Sequence, residues 1–353
     1  GAGIGGEYVA INSAIQEFMP ARLRGRVDLA VSGSFWLGAA AGAAGAVAVL
    51  DPQLLPAAWG WRLAFAIGGL LALLILMLRR FVPESPRWLL LHGHAQEAER
   101  VVAGIEGQAR RGPGEGAGAK LLIKPREEVG WFEVFGVLLR GYPRRVVLGL
   151  SLMGAQAFLY NAIFFTYALT LTRYYAVPES RVGLFLLPFA AGNVLGPLLL
   201  GPLFDTLGRR IMITSTYALT GVLIIATGLL FLSGTLSALT QTLAWSVVFF
   251  FASAAASSAY LTVGECFPLE VRASAIAWFY AIGTALGGIS GPVVFGHLIA
   301  SGTRSAVFAG YALGGGLMLA AAAVSACLAV AAERCGLESL AAPLSSVQAS
   351  EDG

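Results

Sequence analysis

Of the 353 residues, 57% are hydrophobic and only 12% are charged, and the mean hydropathy is +0.75, whereas a water-soluble surface needs about a quarter charged residues. This excludes a soluble globular domain and points to an integral membrane protein. The net charge of +3 comes with neither interleaved aromatics nor a soluble basic domain, so nucleic acid is not expected as a partner.

Several apolar runs reach the roughly 20 residues a helix needs to cross about 30 Å of hydrocarbon. Their lack of alternation favours helices over a barrel. Nine spans are expected, at about 1–19, 28–50, 61–80, 146–172, 181–203, 211–233, 240–263, 273–300 and 305–331. The chain opens inside a span, with neither an initiating Met nor a basic signal region, and reads as a fragment.

The first span carries Glu7, ten residues before Glu17, or about 15 Å along a helix. A carboxyl at that depth reads as a proton carrier or counter-ion, or as a group bonded to neighbouring helices. Gly1 to Gly6 also spell G-x-G-x-x-G, but no strand precedes them, so dinucleotide binding is not expected. The span ends in Glu17-Phe-Met-Pro20-Ala-Arg-Leu-Arg24, which returns as Glu265-Cys-Phe-Pro268-Leu-Glu-Val-Arg272. A repeated E-x-x-P-x-x-x-R implies a duplicated bundle, and Arg26 follows the first copy closely.

After the third span comes Pro83-Glu84-Ser-Pro-Arg87, then a connection running to Arg145. Its first part has helical apolar spacing, the stretch from Gly112 to Gly118 reads as a flexible linker, and Trp131 onward suits a short helix along the inner membrane face. His92 and His94 are i and i+2 and do not share a helical face. Cys266, Cys327 and Cys335 show no metal or disulfide spacing. No metal and no cofactor are expected.

In the next span Gln156 and Asn161 offer amides to a polar substrate, with bonding to adjacent helices as the alternative. Gly201-Pro-Leu-Phe-Asp205-Thr-Leu-Gly208-Arg209-Arg210 closes the fifth. G-x-x-x-G pairs such as Gly192/Gly196 and Gly287/Gly291 suit close helix packing. Tyr260 and Trp36 could face a cavity. The tail after Arg334 is expected to be disordered. Of the 23 Lys and Arg, only Arg62, Arg173, Arg181 and Arg304 fall on one side; the remainder mark the inner face by the positive-inside rule.

These motifs, in this order, resemble the major facilitator superfamily and its sugar-porter-like branch. The segment 201–210 is similar to the family's loop between helices 8 and 9, P-E-S-P-R to the signature after helix 6, and the paired E-x-x-P-x-x-x-R sites to those after helices 4 and 10. The resemblance implies an all-α membrane protein of the major facilitator fold, with nine of twelve transmembrane helices present in two pseudo-symmetric bundles. The first-half remnant is expected at 1–81, a linker at 82–145, a six-helix bundle at 146–332 and a tail at 333–353. It further implies a secondary transporter of a small polar metabolite, sugar or organic acid, in the plasma membrane, proton-coupled and monomeric. A uniporter, an exporter and a non-transporting sensor remain alternatives, and an enzyme is not expected.

The resemblance places Gln156, Asn161, Tyr260 and Trp36 at the substrate and Glu7 in proton coupling. It makes Glu17, Arg24, Arg26, Glu84, Arg87, Asp205, Arg209, Arg210, Glu265 and Arg272 a gate on the inner side. The helix-7 pattern lacks its first Gln and its Gly, and Tyr260 stands where sugar porters have Trp, which departs from a hexose site. Gly-Gly-Glu7-Tyr8 looks like the helix-4 motif of phosphate and organic-acid proton symporters.

Overall fold

The computed structural model describes residues 2–49, 53–108, 122–123, 130–164 and 166–347. The first group of long helices is α1 (Ala2–Phe18), α2 (Arg24–Val49) and α3 (Ala57–Arg79). The connection holds α4 (Pro86–Leu91), α5 (Ala95–Gln108), a two-residue strand β1 (Leu122–Ile123), and α6 (Trp131–Gly136) with a π turn at Val137–Gly141. The second group is α7 (Pro143–Phe164), α8 (Tyr167–Tyr175), α9 (Glu179–Thr206), α10 (Arg209–Leu232), α11 (Ala238–Cys266), α12 (Leu269–Thr284), α13 (Ser290–Ala300) and α14 (Arg304–Leu328). The short helix α15 (Leu337–Leu340) and strand β2 (Ser346–Val347) follow. Gly112–Gly118 and Phe165 lie outside the described residues.

Eight stretches are long and apolar enough to cross a membrane, and α1, with 17 residues, sits at the short end of the spanning range. The fourth expected span is divided between α7 and α8. The eighth is interrupted by a π-helical turn at Ala285–Ile289, a feature that frequently sits at functional sites.

Local sequence explains the boundaries. Pro20 falls between α1 and α2, and Pro268 between α11 and α12, because proline cannot donate the next helical hydrogen bond. The repeated motif therefore puts a glutamate in the last turn of one helix and an arginine in the first turn of the next. Ser237 caps α11 reciprocally with Thr240, and Ser85 accepts from the Trp88 amide at 3.1 Å to start α4.

Helix α2 packs on α9 and α11, α1 packs on α12 and α11, and α10 packs on α14. The two groups thus meet along α1 and α2. The α9 and α11 backbones approach where Gly192 and Gly196 face the carbonyls of Ser246 and Phe250. Gly283, Gly287 and Gly291 do the same against Met153, Ala157, Phe158 and Ala162 of α7. By contrast, α3 touches mainly α2 and exposes its leucines, as suits a helix whose solvent is lipid.

The expected disorder of the tail does not hold for its described part. Leu337 and Ala341 are buried, the Leu344 and Ser345 amides donate to Glu270 at 3.0 and 2.9 Å, and β2 pairs with β1. Composition suggested too little apolar surface to order this segment, but two small apolar side chains and three hydrogen-bonded contacts suffice when the surface beneath is already built.

A side chain at Gly196 would collide with backbone, which cannot yield as a flexible side chain can. Gly196→Leu should therefore lower the unfolding temperature in detergent or abolish monodisperse protein, whereas Gly38→Leu, with nothing within 4 Å, should leave both unchanged.

Candidate functional site: an inner charge lock below an aromatic cavity

At the inner end Arg209 is 1% exposed and carries two carboxylates at once. Its Nε and Nη2 donate to Glu265 at 3.0 and 3.1 Å, and its Nη1 donates to Asp205 at 2.9 Å. The planar guanidinium makes such bidentate pairing possible. Glu265 also takes Arg24 at 3.5 Å. Asp205 accepts the backbone amides of Gly25 and Arg26 at 3.0 and 2.9 Å, so a carboxylate of α9 caps the N-terminus of α2, where the helix dipole favours negative charge. A Cβ at position 25 would meet the Arg209 guanidinium and Asp205; only glycine lets α2 come this close.

A second cluster lies beside the first. Arg87 donates to Glu338 at 2.8 Å and to the Glu17 carbonyl at 2.7 Å. Arg272 is buried and donates to the Phe267 carbonyl at 3.3 Å. Arg145 donates to the Leu340 carbonyl at 2.8 Å, and Arg24 reaches the Cys335 carbonyl at 3.4 Å. The ordered tail is therefore tied to both groups of helices. Burial by itself raises the pKa of the Glu338 carboxyl, but the hydrogen bond and charge of Arg87 outweigh it and hold the group below its ordinary value.

The expected gate residues take unequal parts in the lock. Arg26 is half-exposed and forms a longer ion pair with Asp205 at 3.8 Å, whereas Arg210 is exposed and donates to the Ala326 carbonyl. Glu84 is exposed and makes none of the described ion pairs. It lines a mainly apolar recess of about 1550 Å³ bounded by α1, α3 and α12.

Above the lock, a cavity of about 290 Å³ lies between the two groups of helices. Tyr8 stacks against Tyr260 at 5.4 Å and Tyr280 at 5.5 Å. Trp36 meets Phe164 edge-on at 5.3 Å and lies tilted to Tyr160 at 5.8 Å. Gln156 and Asn161 line it as expected, with Ser32, Ser253, Ser257 and Thr284. The Asn161 amide donates to the Ala157 carbonyl at 2.7 Å, which fixes the side chain and leaves its oxygen as an acceptor. Tyr160 donates to Asn193 at 2.8 Å, and Asn193 to the Phe189 carbonyl at 2.9 Å. The π turn sets Gly288 beside Asn161.

Glu7, expected deep in its span as a proton carrier, is exposed and lines neither cavity. Its neighbours Tyr8 and Asn12, one turn apart, take the inward face of α1, so Glu7 stands about 100° away around the helix. Sequence reasoning did not single out Asn193, which holds Tyr160, Tyr280, which stacks on Tyr8, Glu338, which pairs with Arg87, or the buried Asp28. The last follows Arg24 by one helical turn, a spacing that could have drawn attention to it.

Residues 1–330 match the family model described as Sugar (and other) transporter. The chain belongs to this family. The niacin transporter NiaP of Acinetobacter baylyi is 27% identical over 303 residues, covering 85% of this chain and 64% of that protein. The 4-hydroxybenzoate transporter PcaK of the same organism is 25% identical over 305 residues, with 84% and 63% covered. Plastidic glucose transporter 4 of Arabidopsis thaliana is 26% identical over 291 residues, with 78% and 50% covered. The chain thus spans one half to just under two thirds of these relatives. The proton:xylose symporter XylE, a major facilitator superfamily structure bound to 6-bromo-6-deoxy-D-glucose, superposes with a TM-score of 0.73 at 19% identity, over 93% of this chain and 69% of that one. The likeness shows the major facilitator fold.

Two outcomes test the lock. Asp205→Asn removes one of Arg209's two carboxylates and the charge at the α2 cap, and breaking a buried pair costs about 3–5 kcal/mol. With Cys327 and Cys335 replaced by Ser, alkylation of the buried Cys266 should accelerate at least about tenfold; an unchanged rate would show that Asp205 does not hold the inner end. A carboxyl with a depressed pKa contributes stability above its ordinary value of 4.5 and loses it as pH falls through the folded value. Protease cleavage around residues 334–340 should therefore rise only below about pH 4.5, and in Glu338→Gln it should be raised already at pH 7.

Proposed function

We propose that the protein is a proton-coupled secondary transporter that works by alternating access and carries a small cyclic metabolite, with single-ring aromatic acids preferred over hexoses. The observation that carries this reading is the aromatic-walled cavity between two helix groups whose inner ends are bound by ion pairs. Such pairs bias one of two states by a few kcal/mol and part when the groups rock.

The cavity's chemistry supports the substrate class. Seven aromatic side chains (Tyr8, Phe35, Trp36, Tyr160, Phe164, Tyr260 and Tyr280) supply flat apolar walls, while Gln156, Asn161 and the hydroxyls supply neutral donors and acceptors. No Lys, Arg, His, Asp or Glu is among the described lining residues. An organic acid that enters together with a proton needs no cation there, because the pair is neutral. Stacking on an aromatic wall contributes about 0.5–1.5 kcal/mol per contact beyond area burial. The named cargoes of two relatives, niacin and 4-hydroxybenzoate, point the same way, and the amides leave room for a hexose as the second choice. Gln156, Asn161, Tyr260 and Trp36 hold the substrate in this reading. The protein acts as a monomer in the cytoplasmic membrane.

In proteoliposomes with an inward proton gradient, radiolabelled 4-hydroxybenzoate and nicotinate should accumulate faster than D-xylose. Trp36→Ala and Tyr260→Ala should each raise the half-saturation concentration roughly five- to tenfold. Faster uptake of xylose than of either acid would overturn the substrate class, and uptake of all three no faster than in empty vesicles would overturn transport.

A further inference from the structure

One buried acid takes no part in the ion pairs of the lock. Asp28 is fully buried, and neither of its carboxyl oxygens has a hydrogen-bond partner among the described residues. It stands on the face of α2 that runs Arg24, Asp28, Ser32, Trp36 at intervals of four residues. Four residues rise about 6 Å. Arg24 belongs to the lock, whereas Ser32 and Trp36 line the aromatic cavity. Asp28 therefore occupies the turn between substrate and gate.

The charges around it settle its state. Arg24 from its own helix and Arg209 from α10 face Glu265 of α11 and Asp205 of α9, two cations against two carboxylates. Arg26 lies half-exposed at the rim, Glu333 accepts the Arg209 backbone amide there, and α3 adds only exposed Arg62 and Arg79. From α1 come the neutral amides Asn12 and Gln16, while Glu17 lies toward Arg87. The ion-paired lock of Arg24 and Arg209 with Asp205 and Glu265 is already neutral without Asp28, and the buried Arg272 of α12 is turned to the Phe267 carbonyl in the second cluster; an ionised Asp28 would have no donor, a costly arrangement in a low-dielectric interior.

We propose that Asp28 is the proton-binding residue of the inner gate: it carries a proton while the inner ends are locked and gives it up when they part. On opening, Arg24 separates from Glu265, the α2 amides of Gly25 and Arg26 separate from Asp205, and water reaches the turn. The Asp28 O–H bond then breaks, the proton passes to water on the inner side, and the carboxylate left behind is solvated and faces a freed Arg24. The proton and the substrate above it are released through the same opening, which couples them without a carboxylate inside the cavity. This rests on the proton-coupled transport reading given above.

The test is made in proteoliposomes with 4-hydroxybenzoate as probe, measuring uphill accumulation under an inward proton gradient and counterflow at equal pH, together with the infrared carbonyl band of a protonated carboxyl in the locked protein. Asp28→Asn should abolish accumulation above equilibrium, keep counterflow within about twofold, and remove the band; Asp28→Glu should retain gradient-driven accumulation and shift the band. Accumulation by Asp28→Asn equal to that of the parent would overturn the proposal. So would a band unchanged in that variant, including in protein that no longer exchanges substrate. If the parent shows no counterflow of 4-hydroxybenzoate or D-xylose, the transport reading fails by itself, and loss or retention of the band in Asp28→Asn still decides whether Asp28 holds a proton.

Discussion

A buried guanidinium must be surrounded by carboxylates and carbonyls or it will not stay buried, and Arg209 meets this condition by recruiting groups from two neighbouring helices. It takes Glu265 from α11, Asp205 from α9 and the Phe204 carbonyl. Asp205, so placed, faces the open N-terminus of α2 and caps it. The contact between the two helix groups at the inner end is thus a consequence of satisfying one cation. Buried ion pairs contribute little net stability, because desolvation cancels most of the attraction. Their value is geometric, since the paired state is far better than any half-paired one, and this makes the inner end either shut or open.

The same geometry explains why the cavity can be almost free of charge. Helix α2 brings Arg24 to the lock and Trp36 to the cavity on one face, and α11 brings Glu265 and Tyr260 within little more than one turn of each other. Electrostatic work is concentrated at the helix ends, and the midplane is left to rings, amides and hydroxyls. A cavity without fixed charge suits a cargo held by stacking and neutral hydrogen bonds. Between the two layers, on the helix that belongs to both, lies the buried Asp28.

The membrane class, the bundle architecture and the residues at the helix ends were legible in the sequence because each is written as a local pattern. Hydropathy runs mark the spans, proline marks the breaks, and glycine spacing marks the close approaches. Gln156, Asn161, Tyr260 and Trp36 were also legible as cavity residues. The fate of Glu7 was not, because helical phase is set by tertiary packing; only the structure shows that Tyr8 and Asn12 take the inward face. Asp28 was hidden for a related reason. A single acid one turn past Arg24 looks like a surface i, i+4 ion pair until its burial is known. The tail was misread because composition measures what a segment can bury by itself, not the prebuilt surface that receives it.

The repeated motif pairs across its copies. Arg24, which ends the first E-x-x-P-x-x-x-R, binds Glu265, which begins the second. Arg272, which ends the second, makes no described ion pair with Glu17, which begins the first, and donates to the Phe267 carbonyl. Duplication alone would place an identical helix end in each bundle; the Arg24–Glu265 pair makes one bundle supply the other's counter-ion, so that end is fully paired only when the two are in contact. The halves of this exchange are unequal. Glu265 and Arg24 are both buried and joined with Arg209, whereas Arg272 keeps Nε and Nη1 without a hydrogen-bond partner among the described residues, opposite a half-buried Glu17. Equal locks would demand that both sides yield together, at the full cost of two sets of buried pairs. With one tight and one loose side, rocking can begin where Arg272 is poorly satisfied and finish where Arg24 is held by Glu265. Arg209 stays with Asp205 and Glu265 inside its own bundle and holds both carboxylates in place, so the contacts that opening must break are those of Glu265 with Arg24 and of Asp205 with the α2 amides, one turn from Asp28.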